Sequence, residues 1–144
     1  MTITPHPLPA AVGRAERALR ARLLDILGGS PLRRPEEWIA LNLVAGRTPS
    51  DDAVGAVGGS AAIAHEEAVP LLDDLVRRGL LTGGAGGYGL SDDGSALLAT
   101  LRPRVAGTTR RLLDGLAPQD VAVAVRVLDE VSSRAEQERA GLGG

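Results

Sequence analysis

The stretch that decides the fold reads LLDDLVRRGLLTGGAGGYGLSDDGSALL and covers residues 71–98. Leucines and a valine recur on one side of its first part up to Gly79, which is typical of an amphipathic helix that ends at a glycine. Short apolar segments at Leu80–Thr82 and Tyr88–Leu90 flank a glycine-rich turn, and this arrangement predicts a small β-hairpin. Ser91, followed by two aspartates, predicts the N-terminus of another helix.

Helices are predicted on both sides of this stretch, because apolar residues recur every three or four positions and glycines follow them. The predicted helices before the hairpin cover residues 10–27, 35–45, about 48–58 and about 61–78; those after it begin at Ser91 and Pro118, with a bend at Pro103. Residues 1–9 are predicted to form a flexible arm and residues 135–144 a polar tail. A single, mainly α domain with a small hairpin is therefore expected over residues 10–134.

The composition excludes several classes of protein. The chain contains no cysteine, which removes disulfides, thiolate metal sites and thiol redox chemistry. All 16 basic residues are arginine and the net charge is −2, so any DNA affinity must come from a local patch. Trp38 and Tyr88 are the only aromatic residues, so the core must be aliphatic and base-stacking platforms are excluded.

The sequence also bears on where the protein works. The N-terminal stretch MTITPHPLPA has neither the basic nor the apolar region of a signal peptide. No apolar run approaches the length that crosses a bilayer. We therefore expect a soluble, cytoplasmic protein with no membrane partner.

The order of the predicted elements and two local sequences resemble the MarR family of winged-helix transcriptional regulators. Residues 71–81, LLDDLVRRGLL, resemble the end of the family's recognition helix, where a leucine-rich stripe leads to Gly-Leu-Val. Residues 90–98, LSDDGSALL, resemble the family's Leu-Thr-x-x-Gly-x-x-Leu-Leu sequence at the start of its fifth helix. Residues 35–116 carry the resemblance best, and the flanking helices fit in position and length.

The resemblance implies a winged helix-turn-helix lobe over about residues 35–90 and dimerisation helices over residues 10–28 and 91–134. It also implies a homodimer that reads a palindrome in double-stranded DNA, with its recognition helices in the major groove and its wings in the minor groove. The chain favours a dimer independently, since the terminal helices carry more apolar surface than one small lobe can cover.

The resemblance further identifies the DNA-facing positions. With Gly79 matched to the family's glycine, these positions are Ala64, His65, Glu67, Val69 and Pro70. Glu66 and Glu67 fall where phosphates would lie, and acidic side chains there repel the DNA backbone. The wing, residues 82–89, contains no cation. The phosphate contacts that we predict are therefore Arg47, Arg77 and Arg78.

A small-molecule site is predicted beside the second helix. Trp38 and Asn42 lie one helical turn apart, and an indole wall with an amide next to it suits a lipophilic or aromatic ligand. In the family that the chain resembles, a ligand pocket lies between the dimerisation helices and the winged lobe, and this helix borders it. Candidate lining residues from the first helix are Leu19, Arg20 and Leu23. Packing of Trp38 in the core is the alternative.

An enzymatic role has a weaker basis in the sequence. The polar groups that a catalytic site would use are His65, Glu66, Glu67, Asp73 and Tyr88. Their spacing forms no recognisable catalytic set, and a solvated helix face accounts for the charged ones. His65 has no second ligand one helical turn away, so we expect no metal site and no cofactor.

Three functions follow from these patterns. The first is a dimeric, ligand-responsive, DNA-binding transcriptional regulator. The second is a protein of the same fold that has lost DNA binding and binds a small molecule or a protein. The third is an enzyme that uses a pocket of the fold, and the fold alone does not decide among them.

Overall fold

The computed structural model of the chain describes residues 4–46, 65–84 and 87–142. The elements, in order, are helix α1 (Pro7–Leu27), α2 (Pro35–Ala45) and α3 (His65–Arg77), strands β1 (Leu81–Gly84) and β2 (Gly87–Leu90), and helices α4 (Asp92–Leu113) and α5 (Pro118–Leu142). The mainly α fold with one small hairpin is the predicted class. The short helix predicted over about residues 48–58 lies outside the described residues.

Two helices are longer than the sequence pattern predicted. Helix α1 begins at Pro7, not at Ala10, because prolines are tolerated in a first turn, where backbone N–H groups have no partner in the helix. His6 caps this end, since its Nδ1 accepts the N–H of Leu8 over 3.1 Å. Helix α5 continues to Leu142, because its last part is rich in alanine, glutamate and arginine, which favour a helix without an apolar stripe.

The described residues form two compact units, with the division between Gly107 and Thr108 inside α4. The first unit contains an aliphatic core in which α3 buries one side of its surface, at positions spaced as a helix requires. The buried residues of this core are Leu27, Leu32, Ala40, Leu41, Val44, Ala68, Leu71, Leu72, Leu75, Leu80, Leu81, Tyr88, Leu98 and Leu101. Leucine supplies most of the volume, as the scarcity of aromatic residues predicted.

The end of α3 is closed by a glycine motif. Gly79 has a φ of +79°, a conformation that favours glycine. The N–H of Leu80 donates to the carbonyl of Leu75 and the N–H of Gly79 donates to that of Val76, each over 3.0 Å. These two bonds form a Schellman motif. The chain then enters the predicted hairpin, in which β1 and β2 pair antiparallel from Leu81↔Leu90 to Gly84↔Gly87.

Helix α4 starts against the end of α3. The Ser91 hydroxyl accepts the N–H of Gly94 over 3.0 Å and donates to the carbonyl of Gly79 over 2.6 Å, which confirms the predicted cap. Gly94 is buried, and a Cβ there would lie 2.1 Å from the carbonyl oxygen of Leu80. Only glycine permits this close approach between helix and hairpin.

The second unit consists of the end of α4, a turn at Gly115, and α5. Helix α5 has no buried residue. The large apolar side chains that this unit exposes are Leu112, Leu113, Leu116, Val123, Val125, Val127, Leu128, Val131 and Leu142. Contiguous exposed apolar surface of this extent is uncommon on a folded protein.

None of the described helices is both long enough and apolar enough to span a bilayer.

Candidate functional site

Helix α3 presents an acidic outer face. Because Ala68, Leu71, Leu72 and Leu75 face the core, Glu66, Glu67, Val69 and Pro70 are left exposed. Pro70 lies inside the helix and has no N–H, so the helical bond to the carbonyl of Glu66 is missing there. Of the other predicted DNA contacts, Arg47 and Ala64 lie outside the described residues, and His65 is the first residue of α3.

Arg77 is the accessible cation at the end of this face. Its side chain is 70% exposed, and its Nη2 lies 3.4 Å from Oδ1 of Asp74, one turn earlier in the helix. Exposed pairs of this kind are worth little, about 0–1 kcal/mol. Arg77 can therefore leave Asp74 for another anion at small cost.

Arg78, the next residue, makes two hydrogen bonds and one further ion pair within the protein. Its Nη2 donates to Oε2 of Glu37 over 2.5 Å, and its Nη1 donates to the carbonyl of Pro31 over 2.8 Å. Its Nε lies 3.1 Å from Oδ2 of Asp74 as an ion pair without a hydrogen bond, and the side chain is only 19% exposed. A phosphate contact by Arg78, as predicted from the sequence, would require these interactions to break.

Arg20, a predicted ligand contact, is bound to a carboxylate. Its Nη2 lies 2.7 Å from Oε1 of Glu36, the second residue of α2. Burial raises the pKa of Glu36, but its own backbone N–H and the charges of Arg20 and Arg34 outweigh burial and hold the pKa below its ordinary value. Oε2 of Glu36 accepts no hydrogen bond from the residues that the structure describes.

The other predicted ligand contacts differ in burial and in their hydrogen bonds. Trp38 and Leu23 are half-buried and pack against the core, whereas Leu19 is 56% exposed. The amide of Asn42 is used on both sides: Nδ2 donates to the carbonyl of Trp38 over 2.9 Å, and Oδ1 accepts from Nε of Arg102 over 3.0 Å. Asn42 thus joins α2 to α4.

Two of the five groups named for a catalytic site meet in the structure. The hydroxyl of Tyr88 donates to Oδ1 of Asp73 over 2.6 Å. Burial of the ring, the hydrogen bond and the negative charge of Asp73 raise the pKa of Tyr88 to about 12. The phenol therefore stays protonated at neutral pH and acts as a donor that joins β2 to α3. In the part of the chain that the structure describes, no three histidine or acidic side chains are placed to bind a metal.

Sequence reasoning missed the carboxylates that hold the arginines. Glu36 and Glu37 follow Pro35 and suit the first turn of a helix for reasons of the helix dipole alone. The structure buries both of them, with 9% and 3% of their surface exposed. The partner of Glu37 is 41 residues away in the sequence, so no local pattern could identify it.

Helix α5 carries apolar surface on more than one side. A cavity of about 280 Å³ is lined by Leu113, Leu116, Asp120, Val121, Ala124, Val125 and Leu128. A second, of about 340 Å³, is lined by Arg126, Val127, Glu130, Val131 and Arg134. Apolar side chains on two sides of one helix are typical of a helix that packs against protein on both sides.

Solved structures share this architecture over most of the chain. A MarR family transcriptional regulator from Rhodococcus sp. RHA1 is 17% identical, with a TM-score of 0.74 over 87% of this chain and 91% of that one. CouR from Rhodococcus jostii RHA1, bound to p-coumaroyl-CoA, is 17% identical, with a TM-score of 0.75 over 86% and 90%. Ligand-free NadR is 17% identical, with a TM-score of 0.77 over 90% and 96%.

The likeness lies in the fold and not in the sequence. The chain matches no protein-family model and no curated protein in sequence. The structural neighbours show that the chain has the winged-helix fold of MarR family transcriptional regulators. The resemblance inferred from the sequence is confirmed at this level.

Proposed function

We propose that the chain is a homodimeric, DNA-binding transcriptional regulator that responds to a small lipophilic or aromatic ligand. The observation that carries this proposal is the winged-helix fold, in which α3 has one side in the core and the opposite side exposed beside the hairpin. The structural neighbours are transcriptional regulators, which supports the general class.

The exposed surface of α5 supports the homodimer. Val123, Val127 and Val131 lie on one side of the helix, and Val121 and Val125 lie on another. Water in contact with this much apolar surface is unfavourable, and a second copy of the same helices is a partner of matching character. A two-fold axis would also place two copies of α3 at a fixed spacing for a palindromic site.

DNA binding rests on few cations in the described part of the lobe. Arg77 is exposed and only weakly paired with Asp74, so it can contact phosphate, and the glycine-rich hairpin permits close approach to a backbone. Glu66 and Glu67 oppose binding, because carboxylates near phosphates add repulsion that salt screens. We expect specific affinity to depend on the geometry of the dimer more than on the charge of one lobe.

Ligand response is the third part of the proposal. One structural neighbour was solved with p-coumaroyl-CoA, an aromatic acyl thioester. In this chain, Leu19 and Arg20 of α1 and Trp38 of α2 are the residues that a ligand between the two helices would meet. An anionic ligand would compete with Glu36 for Arg20, whose side chain is 38% exposed.

The second candidate function is a protein of this fold that no longer binds DNA. The observation that favours it is the occupation of Arg78 by Glu37, Asp74 and Pro31, together with the exposed acidic turn of α3. Such a protein would act through its ligand or a protein partner. The hydrogen bond between Tyr88 and Asp73 gives two of the groups named for an enzyme a structural role.

The deciding experiment is a titration of the purified protein against a fluorescent duplex from its own upstream region. Sedimentation or light scattering on the same sample gives the oligomeric state. Specific binding that weakens with salt, and that a scrambled duplex does not reproduce, supports the regulator. A dimer that binds neither duplex at low salt supports the second candidate.

A further inference from the structure

Two consecutive glutamates in the first turn of α2 form ion pairs with arginines from two different parts of the fold. Glu36 pairs with Arg20 of α1, with 2.7 Å between Oε1 and Nη2. Glu37 pairs with Arg78, the residue directly after α3, with 2.5 Å between Oε2 and Nη2. Since the two glutamates are consecutive residues, both attachments fall within a single helical turn.

This turn has little freedom to deform. Oε2 of Glu37 also accepts the N–H of Arg33 over 3.3 Å, which closes the start of the helix. One turn later, Ala40 and Leu41 are fully buried in the core. A packed interior transmits a displacement instead of absorbing it, so the turn should move as one body.

The contacts of Arg78 restrict the orientation of the end of α3 as well as its distance from α2. The planar guanidinium of Arg78 contacts Glu37, the carbonyl of Pro31 in the segment between α1 and α2, and Asp74 one turn earlier in α3. Three contacts from one planar group leave few orientations open to the last turn of α3.

We propose that Glu36 and Glu37 are positioning residues that couple helix α1 to helix α3. A displacement of α1 would pass from Arg20 to Glu36, through the helical turn to Glu37, and through Arg78 to the last turn of α3. A use of this coupling in regulation rests on the proposed DNA-binding function, whereas the coupling itself requires no DNA. Coupling between two sites is reciprocal, so a change at Arg78 should be felt at α1 to the same extent.

The experiment is site-resolved amide hydrogen exchange on the full-length protein without DNA. Arg20→Gln removes the charge that neutralises Glu36. The expected result is exchange faster by about threefold or more at the amides of residues 75–80, relative to the amides of Leu98 and Leu101, which are chosen as the reference for global opening because both side chains are buried in the core. Arg78→Gln should speed exchange at residues 19–24 in the same way.

Arg22→Gln is the matched control. Arg22 lies on the same helix as Arg20 and also pairs with a carboxylate, but that partner is Asp25 on α1 itself, 3.5 Å away and exposed. We expect no change at residues 75–80 in this variant. Equal effects of Arg20→Gln and Arg22→Gln would overturn the proposal, because the signal would then reflect loosening of α1 alone.

The double variant Arg20→Gln/Arg78→Gln supplies a second test. If the two arginines act through one route, the double variant changes exchange at residues 75–80 no more than Arg78→Gln does; independent, additive effects would refute the coupling.

Should Arg20→Gln unfold the protein, Arg20→Lys keeps the charge, and its exchange at residues 75–80 should lie between wild type and Arg78→Gln. If the protein shows this pattern and binds no DNA, the coupling is supported and the proposed regulator function is refuted.

Discussion

The hydroxyl of Tyr88 and the carboxylate of Asp73 are joined by a hydrogen bond of 2.6 Å. Tyr88 belongs to the second strand of the wing and Asp73 to the middle of α3. The bond ties the hairpin to α3. Their relative orientation is thus set inside the lobe, before any contact with a partner.

The first prediction concerns the ionisation of Tyr88. Because it is the only tyrosine, the tyrosinate absorbance reports this residue alone. We expect a midpoint near a pKa of about 12 in wild type, and a lower one in Asp73→Asn, where the negative charge is gone. The raised pKa means that the pair stabilises the fold fully below the ordinary value of 10.0 and progressively less as the pH rises towards 12. Identical midpoints in the two proteins would contradict the role of Asp73.

The second prediction concerns acid stability. The pKa of Glu36 is lowered in the fold, so its contribution is present above the ordinary value of 4.5 and is lost as the pH falls through the folded value. Arg20→Gln should therefore destabilise the protein by about 1 kcal/mol at neutral pH and by less in acid. Urea unfolding at several pH values measures this difference. Arg22→Gln, which removes an exposed pair, should show almost no loss at any pH.

The third prediction compares two glycines in helices. Gly94→Ala would place a Cβ 2.1 Å from the carbonyl oxygen of Leu80, and we expect a loss of about 2 kcal/mol or more. Gly13→Ala in α1 meets only Nη1 of Arg17 at 3.6 Å, an ordinary contact. Alanine there should stabilise the protein by about 0.5–1 kcal/mol, because it favours the helix. Thermal unfolding of both variants checks the opposite signs.

The fourth prediction tests the acidic face of α3. Glu66→Gln combined with Glu67→Arg should strengthen DNA binding and steepen its salt dependence by about one phosphate contact per lobe. Arg77→Gln should weaken binding and flatten the salt dependence by a similar amount. Glu138→Gln, an exposed carboxylate near the end of α5, serves as the control. Affinities that do not respond to either change on α3 would show that this helix does not approach the phosphates.

The sequence predicted the fold because its strongest signals are local. Gly79 ends a helix, Ser91 starts one, and a glycine-rich turn lies between them, and each of these acts within a few residues. The ends of α1 and α5 were harder, since proline in a first turn and a non-amphipathic helical tail leave no apolar period to follow.

The candidate site was predicted only in part, because its contacts are distant in sequence. The pairing of Tyr88 with Asp73 crosses the hairpin, and that of Arg78 with Glu37 spans 41 residues. A pattern of charges identifies residues with the capacity to pair but not the partners that the fold selects. For that reason Arg77 and Arg78 looked equivalent in the sequence and differ in the structure.

That difference decides which arginines lysine could replace. The chain contains no lysine, so its composition does not indicate where a guanidinium is needed. Arg77 presents one exposed charge, and an ammonium group would serve as well. Arg78 donates hydrogen bonds to Glu37 and to a carbonyl and also pairs by charge with Asp74, which a single ammonium on a flexible stem does not reproduce. In related sequences that use lysine, lysine should therefore be accepted at the first of these positions and rejected at the second.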